Sequence, residues 1–192
     1  MNKGRVEAFS DGVIAIIITI MVLELRVPHG TELVDLKPLI PVFAGYVLSF
    51  VYVGIYWNNH HHMMHAVRTV NGAVLWANLH LLFWLSLVPF VTHWMGENPL
   101  GATPVAAYGV VLIMNAVAYT LLQTVLIRHE GRDSPLAKAT RSDFKGKISL
   151  ALYALAIVAA VFLPALSLAL YVIVAGIWFT PDRRVERQLG VQ

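Results

Sequence analysis

The stretch from Ile148 to Thr180, ISLALYALAIVAAVFLPALSLALYVIVAGIWFT, contains no charged residue. As one straight helix its roughly 33 residues would measure about 50 Å, whereas the hydrocarbon core of a bilayer is about 30 Å thick. Pro164 lies at its centre, where a proline breaks or kinks a helix because it has no backbone N–H to donate. The stretch therefore predicts either two short spans, 148–163 and 165–180, or one steeply tilted, kinked helix.

The distribution of basic residues chooses between these two topologies. Four further apolar runs precede this stretch, at about 6–25, 39–59, 73–94 and 104–127. Membrane proteins concentrate Lys and Arg in their cytoplasmic segments. With six spans and both termini in the cytoplasm, all 14 Lys and Arg residues except Arg26 and Lys37 lie on the cytoplasmic side. With five spans the C-terminal arginines would lie outside, so six spans are predicted.

Composition assigns the whole chain, 1–192, to a single all-α membrane domain. Hydrophobic residues make up 58% of it and charged residues 13%, whereas a soluble domain carries about 25% charged residues. The absence of cysteine excludes a disulfide framework and thiolate metal sites. Because the surplus positive charge falls in cytoplasmic segments, it does not indicate nucleic acid. We predict a multi-pass protein of the cell membrane that has the lipid bilayer as a partner.

The first predicted span has an acidic residue near each end. Between Asp11 and Glu24 lie about 12 uncharged residues, roughly 20 Å of helix, which is less than the thickness of the bilayer core. At least one carboxylate must therefore lie in or near the hydrocarbon, where a charge that faces lipid is costly. Asp11 is expected to face protein or water, either in a purely structural role, as a helix cap or a partner of Arg5, or as part of a polar site.

A helical projection of the same span separates an apolar face from a polar one. At 100° per residue, one stripe about 100° wide carries mainly aliphatic side chains. It consists of Ile16, Thr19, Ile20 and Leu23. Ser10 and Asp11 project away from it. An aliphatic stripe by itself usually serves helix packing, but four copies around an axis would form a narrow constriction from which water is readily expelled.

Several motifs in the first half of the chain resemble the transmembrane-protein-175 family of potassium channels. They are Arg5 with Phe9-Ser10-Asp11 in helix 1, Trp57-Asn58-Asn59-His60-His61-His62 at the end of helix 2, and Leu75-Trp76-Ala77-Asn78-Leu79 and Leu87-Val88-Pro89-Phe90 in helix 3. The single set of helices is similar to the bacterial and archaeal form of the family. The second half of the chain matches only in its apolar pattern.

The resemblance implies a homotetramer of six-helix subunits in which helix 1 of each subunit lines a central pore. The bulky residues of the constriction would be Ile16, Ile20 and Leu23, with Thr19 as a polar layer among them. The permeant ion would be potassium, and no cofactor or metal is expected. Because the chain has no Thr-Val-Gly-Tyr-Gly filter, no ring of backbone carbonyls replaces the ion's water, and the preference for potassium over sodium should be modest.

The same resemblance gives the signature residues a structural role. Arg5, Ser10 and Asp11 would tie helix 1 to helices 2 and 3 instead of contacting ions. We predict His61 and Asn78 as their partners, because these are polar residues within otherwise apolar spans.

The histidines at the end of helix 2 support a competing hypothesis. His61 and His65 are four residues apart and share one helical face, a spacing that suits zinc ligation. No H-E-x-x-H motif accompanies them, and the chain has no cysteine. A histidine-based, metal-dependent membrane enzyme is therefore one alternative to the channel, and a small transporter or accessory membrane protein is another. We predict a channel that is not an enzyme.

Overall fold

The computed structural model describes residues 3–131, 133–140 and 144–179, and these residues form helices without a β-strand. The elements are α1 (Gly4–Leu23), a 3₁₀ helix (Leu33–Leu39), α2 (Ile40–His65), α3 (Gly72–Ser86), α4 (Val88–Glu97), α5 (Ala102–Glu130), α6 (Pro135–Ala139), α7 (Phe144–Phe162) and α8 (Pro164–Phe179). Thr180, the predicted end of the last span, and the C-terminal arginines that favoured six spans lie outside the described residues.

Five helical segments are long and apolar enough to cross a membrane. They are Gly4–Leu23, Leu33–His65, Gly72–Glu97, Ala102–Glu130 and Phe144–Phe162. The sixth apolar helix, Pro164–Phe179, has only 16 residues. The all-helical membrane protein is thus confirmed, whereas six spans that each cross the bilayer stay a prediction.

The break at Pro164 divides the last apolar stretch into two helices. α7 ends at Phe162 and α8 begins at Pro164, so the proline occupies the first helical position, where a missing N–H costs nothing. The two helices pack against each other, and Ser167 Oγ donates to Ala156 O across them at 2.7 Å. The stretch is therefore a pair of packed helices and not a single kinked one.

The predicted third span, 73–94, is interrupted in the structure. α3 ends at Ser86 and α4 begins at Val88. Pro89 is the physical cause, because it has no N–H for the carbonyl four residues earlier and its ring clashes with that turn. The resulting bend lies beside α1, since Pro89 and Phe90 face Ile16 and Ile20 across a groove.

α1 lies at one side of the bundle. It packs against α2, α3 and α4, whereas α5 packs against α3, α4, α7 and α8. The buried face of α1 has residues three and four positions apart, the spacing of a single helical face. These residues are Val6, Ser10, Ile14, Ile17 and Met21. The rest of the helix surface is left largely uncovered by the other described helices.

Gly109 allows α5 and α8 to approach closely. A side-chain carbon at this position would overlap the Tyr171 hydroxyl and lie 2.8 Å from Ile157 Cγ1. Tyr171 is held in place because its hydroxyl donates to Val105 O at 3.0 Å. The glycine is therefore required by the contact between the two helices.

We expect Gly109→Ala to lower the free energy of unfolding by about 1–3 kcal/mol, because it inserts a methyl group into a packed core. Gly176→Ala is the matched control, since its new methyl group would meet nothing within 4 Å and alanine is the better helix former. The unfolding midpoints of the two purified variants in detergent measure the difference. Equal midpoints would contradict the close contact at Gly109.

Candidate functional site: helix 1 and its supports

The four stripe residues lie together on the uncovered face of α1. Leu23 is 80% exposed, Ile16 57% and Ile20 42%, and Thr19 is exposed as well. Contiguous aliphatic side chains on such a face need a cover of lipid or protein, or else mark a functional surface.

Thr19 adds a polar group with a defined orientation to this face. Its hydroxyl donates to Ile16 O at 2.9 Å, within the same helix. A threonine hydroxyl has one hydrogen and two acceptor lone pairs. Because the hydrogen is used inside the helix, Thr19 offers only lone pairs to its surroundings, and this arrangement suits a cation.

A chain of three buried side chains ties α1 to α3 and α2. Ser10 Oγ donates to Val6 O at 2.8 Å, and Asn78 Nδ2 donates to Ser10 Oγ at 2.9 Å. Asn78 Oδ1 lies 2.8 Å from His60 Nε2. An amide oxygen can only accept, so His60 Nε2 carries the hydrogen of this bond. Ser10 is 0% exposed, and His60 and Asn78 are each 2% exposed.

The histidine that contacts Asn78 is His60, not the predicted His61. The prediction rested on polarity alone, which does not distinguish the two neighbouring histidines, and α2 continues through both of them to His65. On a continuous helix His60 falls on the buried face and His61, about 100° further round, is exposed. His61 stacks on Trp57 and on His65, with ring centroids 6.1 Å apart in each pair.

The other signature residues, Arg5, Phe9 and Asp11, lie on the exposed side of α1. Trp57 Nε1 donates to Asp11 Oδ1 at 3.0 Å, which gives the carboxylate a partner on α2. Arg5 is exposed, and among the described residues it forms no ion pair with Asp11 or with any other side chain. Phe9 is 54% exposed. Ser10 and Asp11 are thus brought to helices 2 and 3, whereas the predicted tie through Arg5 is absent from the described part of the chain.

Lys3 provides a link that the sequence analysis missed. Its Nζ donates to Met64 O and His65 O, each at 3.1 Å. These carbonyls end α2, where the helix dipole favours a positive charge. Lys3 also lies 3.8 Å from Glu7, four residues later in the chain. That spacing predicts the contact with Glu7, whereas the link to α2 depends on how the helices pack.

A groove of about 780 Å³ separates α1 from α4. Its walls are apolar, with Ile16 and Ile20 on α1 facing Phe90 and Trp94 on α4. The groove shares Ile16 and Ile20 with the exposed stripe, so the two surfaces are continuous.

Four polar or charged side chains close one end of this groove. His93 Nδ1 lies 3.6 Å from Glu24 Oε2, and Arg26 Nη2 lies 3.5 Å from Glu97 Oε2. These two contacts join the end of α1 to α4. Surface pairs of this kind contribute about 0–1 kcal/mol each, so they hold the end of the helix only weakly.

The described residues include no group of three or more His, Asp or Glu side chains arranged to hold a metal ion. His61 and His65 share a face as the spacing predicted, but their rings stack on each other.

Apolar helices of spanning length, a buried polar chain between them and an outward aliphatic stripe define a multi-pass integral membrane protein. Residues 5–89 match the family model described as "Endosomal/lysosomal potassium channel TMEM175". The chain belongs to the TMEM175 family of ion channels, and it is therefore not an enzyme.

Relatives along the whole chain establish this membership. A Chryseobacterium sp. (strain P1-3) protein named a potassium channel is 56% identical over 189 residues, which cover 98% of each chain. A Streptomyces collinus (strain DSM 40733 / Tue 365) protein, also named a potassium channel, is 37% identical over 158 residues, which cover 75% of this chain and 77% of that one. A crystal structure of a lysosomal potassium-selective channel TMEM175 homologue from Chamaesiphon minutus has 27% sequence identity and a TM-score of 0.80, and the match covers 92% of this chain and 96% of that one.

Proposed function

We propose that four copies of this protein form a potassium-permeable channel of the cell membrane, in which α1 of each copy lines a central pore. The observation that carries the proposal is the exposed aliphatic stripe, which the rest of the subunit leaves uncovered while it buries the other side of α1. The relatives named potassium channels support potassium as the permeant ion.

A hydrophobic constriction would control permeation. Ile16, Ile20 and Leu23 offer no oxygen atoms to replace the water around an ion, and narrow apolar pores expel water and stop conduction. Potassium loses its water more easily than sodium, and the lone pairs of Thr19 would stabilise a partly dehydrated ion. The selectivity that follows is modest, because a single hydroxyl layer replaces only part of the hydration shell.

The contacts of α1 indicate where it would move when the pore opens. The half that carries Lys3, Ser10 and Asp11 is tied to α2 and α3 by hydrogen bonds. The other half, which carries the constriction, buries Ile17 and Met21 against the bundle. Its only polar contacts with another helix in the described structure are those of Glu24 with His93 and of Arg26 with Glu97 at its end. We infer that the half of α1 from Ile16 to Leu23 swings to open the pore, while the half from Gly4 to Asp11 stays fixed.

Ion flux from liposomes tests the proposed function. With purified protein in liposomes and a protonophore to balance charge, we expect potassium flux to exceed sodium flux several-fold under equal gradients, without any second, coupled ion. Liposomes without protein provide the baseline. Flux that saturates and requires a gradient of another ion would indicate a transporter and contradict the channel.

A further inference from the structure

The groove between α1 and α4 adjoins the stripe that would line the pore, and we propose that α1 of the neighbouring subunit occupies it. This inference rests on the tetrameric channel proposed above and names the two surfaces through which adjacent subunits meet. One surface is the groove, and the other is an edge of α1 that carries small side chains.

The groove is an apolar surface that a single subunit leaves unfilled. Phe90 is 63% exposed and Ile16 is 57% exposed on its two walls. The groove is open to the surroundings of the subunit, so its apolar walls need a cover of lipid or protein. A third helix would fill the gap and cover both walls.

The small edge of α1 is suited to enter this gap. It consists of Ala8, Gly12 and Ala15, which are all exposed. Their spacing of four and three residues places them on one side of the helix. A carbon added at Gly12 would meet nothing within 4 Å. Small residues allow the backbones of membrane helices to approach closely, so this edge can seat deeply where a bulky one could not.

The geometry of a four-membered ring relates the edge to the groove. In such a ring the two neighbours of a helix lie about 45° to either side of the direction to the axis. If Ile16, Ile20 and Leu23 together face the axis, Gly12 lies about 45° to one side and Val13, on the groove wall, about 55° to the other. The edge of one subunit therefore faces the groove of the next, and this head-to-tail contact closes after four copies.

The charges at the outer end of the groove are complementary to the end of the incoming helix. The side chains of Glu24 and Glu97 are 45% and 33% exposed, and Arg26, three residues past the end of α1, is 69% exposed. Within the described part of one subunit, Glu24 forms no ion pair with a Lys or Arg side chain, and His93 Nδ1 lies 3.6 Å from its Oε2. A second α1 in the groove brings a second Arg26 to these two carboxylates.

Cysteine cross-linking tests this interface, because the natural chain contains no cysteine. The double variant Gly12→Cys with Val13→Cys places one thiol on each surface, and adjacent positions on a helix point about 100° apart, so they cannot bond to each other. The double variant Ala15→Cys with Ile16→Cys repeats the test one turn further along, since Ala15 lies on the small edge and Ile16 on the groove wall. The matched control is Val161→Cys with Phe162→Cys, two adjacent residues on the exposed side of α7.

A head-to-tail contact predicts covalent dimers, trimers and tetramers after oxidation of either double variant, with an order of magnitude more tetramer than the control pair gives. Each single variant can form dimers at most, because it has one thiol per subunit. If neither pair yields more than dimers while light scattering shows a tetramer, the interface is wrong and the channel proposal stands. If light scattering shows a monomer or dimer, the tetramer and the interface are both wrong.

Discussion

Leu23→Ala should raise potassium flux through the reconstituted protein several-fold and bring sodium flux closer to potassium flux. Leu23 is 80% exposed and is the last residue of α1, so its truncation removes little buried packing and should leave the fold intact. In the proposed pore, four leucines would each lose most of their side chain at one level. A wider apolar constriction holds water and lets more fully hydrated ions pass, which raises conductance and weakens discrimination together.

The measurement compares potassium and sodium flux from liposomes that contain equal amounts of each variant. Ile16→Ala makes a similar truncation at the inner level of the stripe and should change flux in the same direction. Leu155→Ala is the matched control, because Leu155 is 54% exposed on α7, away from α1. Unchanged flux in both stripe variants would show that α1 does not line the pore.

The extent of each helix follows from the sequence where a local rule decides it. Pro164 is such a local signal, because a proline in a helix interior kinks or breaks the helix, and the distribution of basic residues favoured the break. The predicted end of helix 2, near residue 59, was too early, because the four histidines that follow resemble the polar end of a span. The helix continues because its backbone bonds do not depend on side-chain polarity, and because His60, Met63 and Met64 share a face that the bundle buries.

Some residues of the candidate site can be predicted from local sequence, and others depend on how the helices pack together. The stripe from Ile16 to Leu23 is a property of one helix, so helical periodicity is enough to group its residues. Partners across helices are not local. His60 could have been identified by its spacing of seven from Val53, another buried residue of α2, but its bond with Asn78 depends on how α2 and α3 pack.

The same substitution at two buried asparagines should change stability in opposite directions. Asn78→Leu leaves the N–H of His60 without an acceptor inside the protein and removes the donor to Ser10. Hydrogen bonds between membrane helices contribute only about 0.6 kcal/mol on average, but a buried donor left unpaired costs about 1–3 kcal/mol. We therefore expect Asn78→Leu to lower the free energy of unfolding by about 1–3 kcal/mol and to reduce the yield of assembled protein.

Asn115 provides the contrast, because its polar atoms contribute no such bonds. It is 0% exposed on α5, and neither Oδ1 nor Nδ2 has a hydrogen-bond partner among the described residues. An unpaired amide in an apolar interior already costs about 1–3 kcal/mol, and leucine has a similar branched shape without that cost. Asn115→Leu should therefore raise the free energy of unfolding by about 1 kcal/mol or more.

The unfolding midpoints of the two variants in the same detergent measure this difference in sign. A double variant, Asn78→Leu with His60→Leu, separates the bond from the packing, because removing donor and acceptor together can be nearly neutral. Its midpoint should lie above that of Asn78→Leu alone. Equal losses at Asn78 and Asn115 would mean that side-chain volume, and not the hydrogen-bonded chain through Ser10, decides how α1 is held to the rest of the subunit.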